Sequence, residues 1–329
     1  MALHVSVGLP NCREGRLHPV ESVTVDWILG VARQAEELGF HGVWANEFAV
    51  TEPGVASQFT RPGRYFDAIA ILSAVATATA SIRLTTATLI LPHHEPVLLA
   101  KQAATLDWIS GGRLTLGFGL GGSVEEYRRL YGAGERVNRG AMMDEYLPAL
   151  RALWTDRHAT YSGESVRFES AEMFPKPVQD PLPIWLAGDA DAVFRRIARY
   201  GQGWIDSHSG REEMQAKIAT IRGYLEAEGR DPDSLEVGRQ VYVAVASTDE
   251  GAERVRRDAL AADRIEGTAL PVAKGERVVV GAFASVAERL REFASAGATE
   301  IAVIFYARDP QEHADQVRAF HDDVLPQLA

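Results

Sequence analysis

Segments with the hydrophobic pattern of strands alternate with segments of helical periodicity along the whole chain. The eight predicted strands are His4–Pro10, His41–Glu47, Ile82–Pro92, Arg113–Leu120, Pro183–Gly188, Gly203–Asp206, Val237–Ala246 and Glu300–Phe305. The predicted helices are Val25–Leu38, Phe66–Thr79, Val97–Ile109, Ala141–Trp154, Ala190–Tyr200, Glu212–Glu228, Val286–Ala296 and a last helix from Pro310. Most of these strands are apolar without alternation, which is typical of strands covered on both faces. Eight βα units favour a (β/α)8 TIM barrel, one α/β domain over residues 1–329, over an open doubly wound sheet.

Three segments are longer than a minimal barrel needs. They cover residues 48–65, 155–182 and 249–280. We therefore predict insertions after strands 2, 4 and 7 of the barrel. The first and third start at the C-terminal ends of strands, where barrel enzymes bind substrate, and we interpret them as lids or pocket walls. Ordinary surface elaboration is the alternative, and it is the preferred interpretation for residues 249–265.

The composition narrows the class of function. The chain has 329 residues, of which 46% are hydrophobic, and a formal net charge of -11. Because a negative protein offers phosphate groups no cationic field, we expect neither nucleic-acid nor membrane binding. A single cysteine, Cys12, excludes a disulfide framework and a cysteine-based zinc site, and no apolar N-terminal run suggests secretion. We therefore expect a cytoplasmic protein that acts on a small-molecule substrate.

The strand that begins at Arg113 ends in glycines instead of side chains. These glycines are Gly117, Gly119, Gly121 and Gly122. Glycine weakens a strand unless another group approaches its backbone closely, so this end could form the wall of a site for a large flat cofactor. A tight turn between strand and helix without a ligand explains the same glycines equally well.

Several segments, in the right order and over nearly the whole chain, resemble the bacterial luciferase-like flavin-dependent oxidoreductases. The most specific ones are LPHHEPVLLAKQAATLDWISGGR and the glycine strand after it. The others are EELGFHGVWANE, DEYLPALRALWT, FPKPVQDPLPIWLAG and VGAFASVAERLREFASAGATEIAV. The resemblance implies a TIM barrel that uses reduced FMN or the deazaflavin F420 as a dissociable hydride carrier. It also implies a homodimer and, for many members, a separate flavin or F420 reductase as partner.

The resemblance assigns cofactor contacts to two places. In the third strand of such proteins the flavin ring lies against a bulge, often with a non-prolyl cis peptide, and the matching residues are Ala87 and Thr88. Arg113 matches an arginine that contacts the flavin phosphate, for which a guanidinium is well suited. The alternative for Arg113 is that it caps the preceding helix.

A second phosphate-binding element is expected where the fifth predicted strand runs directly into a helix, at Gly188, Asp189 and Ala190. Backbone amides and the positive end of the helix dipole meet at such a point and favour an anion. A carboxylate there would repel a phosphate, so we predict that the Asp189 side chain caps its own helix while the backbone binds the phosphate. A plain helix cap without a phosphate is the alternative.

The second predicted strand ends with Asn46 and Glu47, where relatives often carry an acidic residue followed by histidine. Glu47 keeps the acidic position and is our candidate for general acid–base catalysis. Asn46 is a candidate hydrogen-bonding partner of the flavin or a substrate carbonyl. The alternative for Glu47 is a carboxylate at the rim of the barrel that pairs with an arginine. His208, after the sixth strand, is a candidate replacement for the missing histidine, with a solvated loop histidine as its alternative.

Other polar residues carry weaker signals. His93 and His94 are adjacent on a turn and point in different directions, so we predict no metal site there. Asn11, Arg13 and Arg16 follow the first strand, and we place them at the mouth of the substrate site, where they favour an anionic or carbonyl-bearing substrate.

Two cofactors and two other classes of protein stay open. FMN would indicate a monooxygenase supplied by a reductase, whereas F420 would indicate a hydride-transferring dehydrogenase or reductase, which is slightly favoured. The missing histidine also leaves a non-catalytic flavin-binding barrel, or the inactive subunit of a pair. An aldolase or isomerase would need a lysine on a strand end. The lysines considered, all on predicted helices or loops, are Lys101, Lys176, Lys217 and Lys274.

Overall fold

The computed structural model describes residues 3–50, 57–59, 61–121, 124–131, 138–261 and 276–328. The strands are β1 (His4–Gly8), β2 (Gly42–Ala45), β3 (Arg83–Ile90), β4 (Leu114–Gly119), β5 (Ala159–Ser162), β6 (Arg167–Ala171), β7 (Ile184–Ala187), β8 (Gly203–Asp206), β9 (Glu236–Ala246), β10 (Val278–Ala282) and β11 (Glu300–Phe305). The helices are α1 (Val25–Glu37), α2 (Ala68–Ala78), α3 (Pro96–Ser110), α4 (Val124–Tyr131), α5 (Arg139–Thr155), α6 (Asp191–Tyr200), α7 (Arg211–Ala227), α8 (Asp249–Ala261), α9 (Phe283–Ala296) and α10 (Pro310–Ala319).

Eight of these strands close into a parallel barrel. The order around it is β1, β2, β3, β4, β7, β8, β9 and β11, and β11 pairs again with β1. The prediction of a (β/α)8 TIM barrel is therefore confirmed. The sequence pattern could predict it because each strand is buried on both faces, by the barrel interior and by the helices, and therefore reads as a continuous apolar run.

The barrel interior is filled by aromatic side chains. The rings of Trp44 and Trp185 meet edge to face, with centroids 5.7 Å apart, and pack with small apolar residues. Below them the buried carboxylate of Glu300 accepts hydrogen bonds from Trp44 Nε1 at 2.7 Å and from Ser6 Oγ at 2.5 Å. The buried polar groups are paired, as expected in a protein interior, and side chains fill the barrel. The loops at the C-terminal end of the barrel therefore rest on a rigid scaffold.

The segments predicted as insertions follow β2, β4 and β9. Residues 51–56 and 60 of the first, and residues 262–275 of the third, lie outside the described residues. After β4 the chain forms α4, which the sequence pattern did not predict, then α5 and the antiparallel hairpin of β5 and β6. None of the described helices is long and apolar enough to cross a membrane.

One strand was wrongly assigned to a loop. Val278–Ala282, which begins inside the predicted insertion of residues 249–280, forms β10 and pairs in parallel with the C-terminal half of β9. The reason lies in the unequal lengths of the barrel strands. β9 has 11 residues, whereas β8 pairs with its residues 236–239, which leaves the rest of that edge available for β10.

Candidate active site

A cavity of about 380 Å³ opens at the C-terminal ends of β4, β7 and β8. This is the end at which TIM-barrel enzymes carry their active sites. Its lining consists of Thr88, Gly119, Leu120, Gly121, Ala187, Gly188, Asp189, Ala190, Val193, Ile205, Ser207 and His208. Six of the predicted site residues, from three separate segments of the chain, thus meet in one cavity: Thr88, Gly119, Gly121, Gly188, Asp189 and Ala190, and the proposed catalytic His208 joins them.

The glycines of β4 have two different roles. A Cβ atom on Gly117 would lie 2.0 Å from the carbonyl oxygen of Thr86, so this glycine is required by the neighbouring strand and not by a ligand. A Cβ atom on Gly119 would meet the Thr88 side chain, with the hydroxyl at 2.7 Å. Gly121 also lines the cavity, but its positive φ of 75° and the Ile90 side chain, 2.9 Å from a Cβ atom there, require a glycine as well. The predicted cofactor wall is therefore shorter than the glycine pattern suggested, and Gly122 lies outside the described residues.

Strand β3 bulges beside these glycines. The register of the β3–β4 pair shifts between Thr86 and Leu89, and the peptide bond from Ala87 to Thr88 is cis, as the resemblance implied. The Ala87 carbonyl points into the barrel and accepts hydrogen bonds from Asn46 Nδ2 and from Gln240 Nε2, the latter at 3.1 Å. The carbonyl is thus occupied, whereas the Thr88 side chain reaches the cavity.

The segment Gly188 to Ala190, which follows the neighbouring strand β7, forms another part of the cavity lining. Helix α6 begins at Asp191 with Ala190 as its N-cap, and no side chain caps it. The prediction that Asp189 caps this helix is wrong, because its carboxylate forms an ion pair with Lys217 Nζ at 2.9 Å. Burial lowers the pKa of Lys217, but its hydrogen bonds to Glu213 and Asp189 outweigh this effect and raise the pKa. A positive charge therefore compensates Asp189 next to the uncapped helix end, which keeps this end suitable for an anion.

Arg113 lies at the other end of the barrel from the cavity. It precedes β4, and its guanidinium donates to the carbonyl oxygens of Ala76, Thr79, Ile82 and Ser110 at 2.6–3.2 Å. These carbonyls belong to the C-terminal ends of α2 and α3 and to the start of β3. The prediction of a flavin phosphate contact is therefore wrong, and the alternative, a helix-capping arginine, describes its position.

Glu47 pairs with a histidine and not with an arginine. Its carboxylate accepts hydrogen bonds from the backbone N–H of Ile90 at 2.5 Å and from His94 Nε2 at 2.8 Å. Burial lowers the pKa of His94, but the hydrogen bond and the charge of Glu47 outweigh burial and raise it. The sequence does not indicate this acid–histidine pair, because the two residues lie 47 positions apart. A histidine thus accompanies the acidic residue after all, contributed by the segment after β3.

Two further polar groups of the prediction differ in burial: Asn46 is buried beside the Ala87 carbonyl, whereas His208 lines the cavity as an exposed residue. Asn46 is 7% exposed, and its Oδ1 has no hydrogen-bond partner among the residues that the structure describes. Such a buried acceptor is available to a donor on a ligand. His208 lines the cavity, and burial together with the nearby charge of Arg277 lowers its pKa, so that it is neutral at pH 7.

Other parts of the described chain are less suited to chemistry. A larger cavity, of about 530 Å³, lies between the C-terminal end of α5 and the residues before β7, at the end of the barrel that serves stability. Across the described ranges, no group of three or more His, Cys, Asp or Glu side chains is placed to hold a metal ion. Lys101, Lys176 and Lys217 lie on helices or loops, and Lys274 is outside the described residues.

The cavity fits a flavin-type cofactor on two observations. Gly119 and Gly121 present backbone instead of side chains, and the uncapped start of α6 lines the same cavity. A flat ring needs the first feature and a phosphate needs the second.

Comparisons with known proteins find relatives in sequence and in fold. An uncharacterized protein of Mycobacterium tuberculosis is 34% identical over 212 residues, which cover 61% of this chain and 74% of that protein. The FMNH2-dependent dimethylsulfone monooxygenase of Pseudomonas putida is 26% identical over 259 residues, 77% of this chain and 68% of that enzyme. An F420-dependent secondary alcohol dehydrogenase, solved with an F420–acetone adduct, shares the fold with a TM-score of 0.79 at 18% identity, with both chains fully covered.

The family described as luciferase-like monooxygenase matches residues 4–325, which is nearly the whole chain. The protein therefore belongs to the luciferase-like monooxygenase family.

Proposed function

We propose that this protein is a flavin-dependent oxidoreductase that binds reduced FMN or F420 in the cavity at the C-terminal end of its barrel and oxidises or reduces a small organic substrate. The carrying observation is the cavity itself, which is lined both by Gly119 and Gly121 and by the uncapped N-terminus of α6. Relatives divided between FMNH2-dependent and F420-dependent enzymes support a cofactor of this type. When bound, the reduced cofactor supplies the hydride or the oxygen-activating electrons.

The residues around the cavity have separate roles in this proposal. Thr88, Gly119 and Gly121 hold the ring, and the backbone of Gly188 to Ala190 holds the phosphate. The Glu47–His94 pair, which is closed to bulk solvent on most of its surface, holds a proton that it can donate to or accept from the substrate. Asn46 Oδ1 accepts a hydrogen bond from the ligand, and neutral His208 positions the substrate.

Titration of the apo-protein tests the proposal. We expect reduced FMN or F420 to quench the intrinsic tryptophan fluorescence with a dissociation constant in the micromolar range, roughly -8 kcal/mol of binding free energy. A preference for reduced FMN, with an oxygen-dependent turnover, would define a monooxygenase with a separate reductase as partner. A preference for F420 would define a dehydrogenase or reductase. Binding of neither cofactor would contradict the proposal.

We also propose a homodimer. An exposed apolar surface is formed by Leu98 and Trp108 of α3 together with Phe174 and Val178 of the segment before β7. These parts are held together, because Trp108 Nε1 donates to the Lys176 carbonyl at 2.7 Å. Apolar surfaces of this kind are typical of subunit contacts. Light scattering should give twice the monomer mass for the wild type and a lower mass for Trp108→Glu; an unchanged mass for this variant would contradict the interface.

A further inference from the structure

Two arginines and a tyrosine form a cluster beside the residues of the proposed active site. Arg13 follows β1, Tyr242 lies in β9, and Arg277 directly precedes β10. Arg13 Nη1 donates to the Tyr242 hydroxyl at 3.1 Å, and the guanidinium carbons of Arg13 and Arg277 lie 5.4 and 5.1 Å from the centre of the Tyr242 ring. Two positive groups are thus gathered around one phenol at the C-terminal half of the barrel.

The two arginines are not compensated by carboxylates in the described part of the chain. Arg13 is 3% exposed, and its Nε, like that of Arg277, has no hydrogen-bond partner there. The adjacent carboxylates are engaged elsewhere. Glu14 accepts hydrogen bonds from the backbone N–H groups of Glu21 and Val23, and Glu276 pairs with Arg289.

Another buried arginine shows what the cluster lacks. Arg239, which is fully buried in the same strand as Tyr242, forms an ion pair with the fully buried Asp206. A buried guanidinium without such a partner carries an unpaid desolvation cost, which a bound anion would offset. The cluster around Tyr242 therefore has the charge of an anion-binding site.

The cluster is connected to the cofactor cavity. Gln240 Oε1 accepts from Arg13 Nη2 at 3.4 Å, while Gln240 Nε2 donates to the Ala87 carbonyl beside the cavity-lining Thr88. Arg277 is also close enough to His208, which lines the cavity, to lower its pKa. An anion at this cluster would therefore lie next to the cofactor site.

We propose that Arg13, Arg277 and Tyr242 bind an anionic group of the substrate, a carboxylate or a phosphate. This proposal rests on the proposed function, since it assigns the substrate class of the same site. Burial alone would raise the pKa of Tyr242, but the charges of Arg13, Arg277 and Arg16 outweigh burial and lower it, which agrees with a positive potential at this point. Arginine is the side chain best suited to hold carboxylate or phosphate oxygens in pairs.

The test measures the binding of benzoate, as the probe, and of benzamide, as its neutral counterpart, by isothermal titration calorimetry. Benzoate should bind the wild type at least about tenfold more tightly than benzamide, and Arg277→Gln should remove this difference. Arg157→Gln, at an arginine that is 75% exposed on the protein surface, is the matched control and should bind benzoate like the wild type. Arg13→Gln should behave as Arg277→Gln does, but the half-buried Arg277 decides the test if the Arg13 variant does not fold.

Three results would each overturn the proposal. The first is equal binding of benzoate and benzamide, and the second is that benzoate, acetate and inorganic phosphate all fail to bind. The third is unchanged benzoate binding by Arg277→Gln. A fourth concerns the source of the anion. If Arg277→Gln weakens reduced FMN or F420 about tenfold and benzoate competes with that cofactor, the cluster binds the cofactor's own anion and the substrate assignment falls. Benzoate binding by a wild type that binds neither cofactor would instead refute the proposed function and leave the anion site standing.

Discussion

Acid should destabilise the folded protein through a buried histidine, His18. Its ring is fully buried beside Trp27 and His313, and Nδ1 lies 3.1 Å from the Ala307 carbonyl. Burial, in spite of that hydrogen bond and with a contribution from the charge of Arg13, lowers the pKa of His18 from 6.5 to about 4. Above pH 6.5 the ring is neutral in both the folded and the unfolded chain, and its titration does not affect the free energy of unfolding.

The loss of stability begins when the pH falls below the unfolded value. Between pH 6.5 and pH 4 the unfolded chain binds a proton that the folded protein does not, so the free energy of unfolding decreases. From the lowered pKa of about 4, this loss amounts to about 2 kcal/mol on going from pH 7 to pH 5 and approaches about 3 kcal/mol near pH 4.

The assay compares urea unfolding at pH 7 and pH 5 for the wild type and His18→Phe. Other groups titrate in both proteins and cancel, so the variant should lose about 2 kcal/mol less than the wild type over this range. His158→Gln, at a histidine whose side chain is 55% exposed, is the control and should follow the wild type. Equal losses in the wild type and His18→Phe would refute the reasoning.

Three more predictions concern the cavity and its scaffold. Arg113→Met should lower the free energy of unfolding by at least about 2 kcal/mol, because helix carbonyls lose their hydrogen-bond donor. Cofactor affinity in a fluorescence titration should not change. A lower cofactor affinity at unchanged stability would instead support a phosphate contact by Arg113. Lys217→Gln should weaken reduced FMN or F420 roughly tenfold because it leaves the Asp189 charge uncompensated, whereas Asp189→Asn should not weaken it; the opposite order would contradict this role of the ion pair. Glu47→Gln should lower turnover in steady-state kinetics by about 100-fold or more at unchanged cofactor affinity. Glu172→Gln, at the protein surface, is the control and should keep its activity. Full activity of Glu47→Gln would exclude a proton-transfer role for Glu47.

The barrel could be predicted from the sequence because its strands are buried on both faces and therefore have continuous apolar sequences. Strand β10 could not be predicted in this way, because its formation depends on the length of β9 relative to β8. This difference in length becomes visible only when the strands are paired. Helix α4 has only eight residues, which is shorter than the window over which helical periodicity can be recognised in a sequence.

The site was predicted in part for a similar reason. Glycines and a strand that runs directly into a helix are local signals, and they led to Gly119, Gly121 and Gly188. The partners of charged side chains are not local. The pairing of Asp189 with Lys217, and of Glu47 with His94, joins residues that lie 28 and 47 positions apart, and no spacing rule connects them. The phosphate role of Arg113 came from the resemblance, whereas its position directly before β4 places it at the N-terminal end of the barrel, away from the cavity.

The most direct test of the central claim is a crystal structure of the protein with bound F420 or reduced FMN. The account predicts that the cofactor ring lies against Gly119 and Gly121, with its phosphate at the backbone of Gly188 to Ala190. A cofactor bound in the larger cavity near α5, or with its phosphate at Arg113, would contradict it.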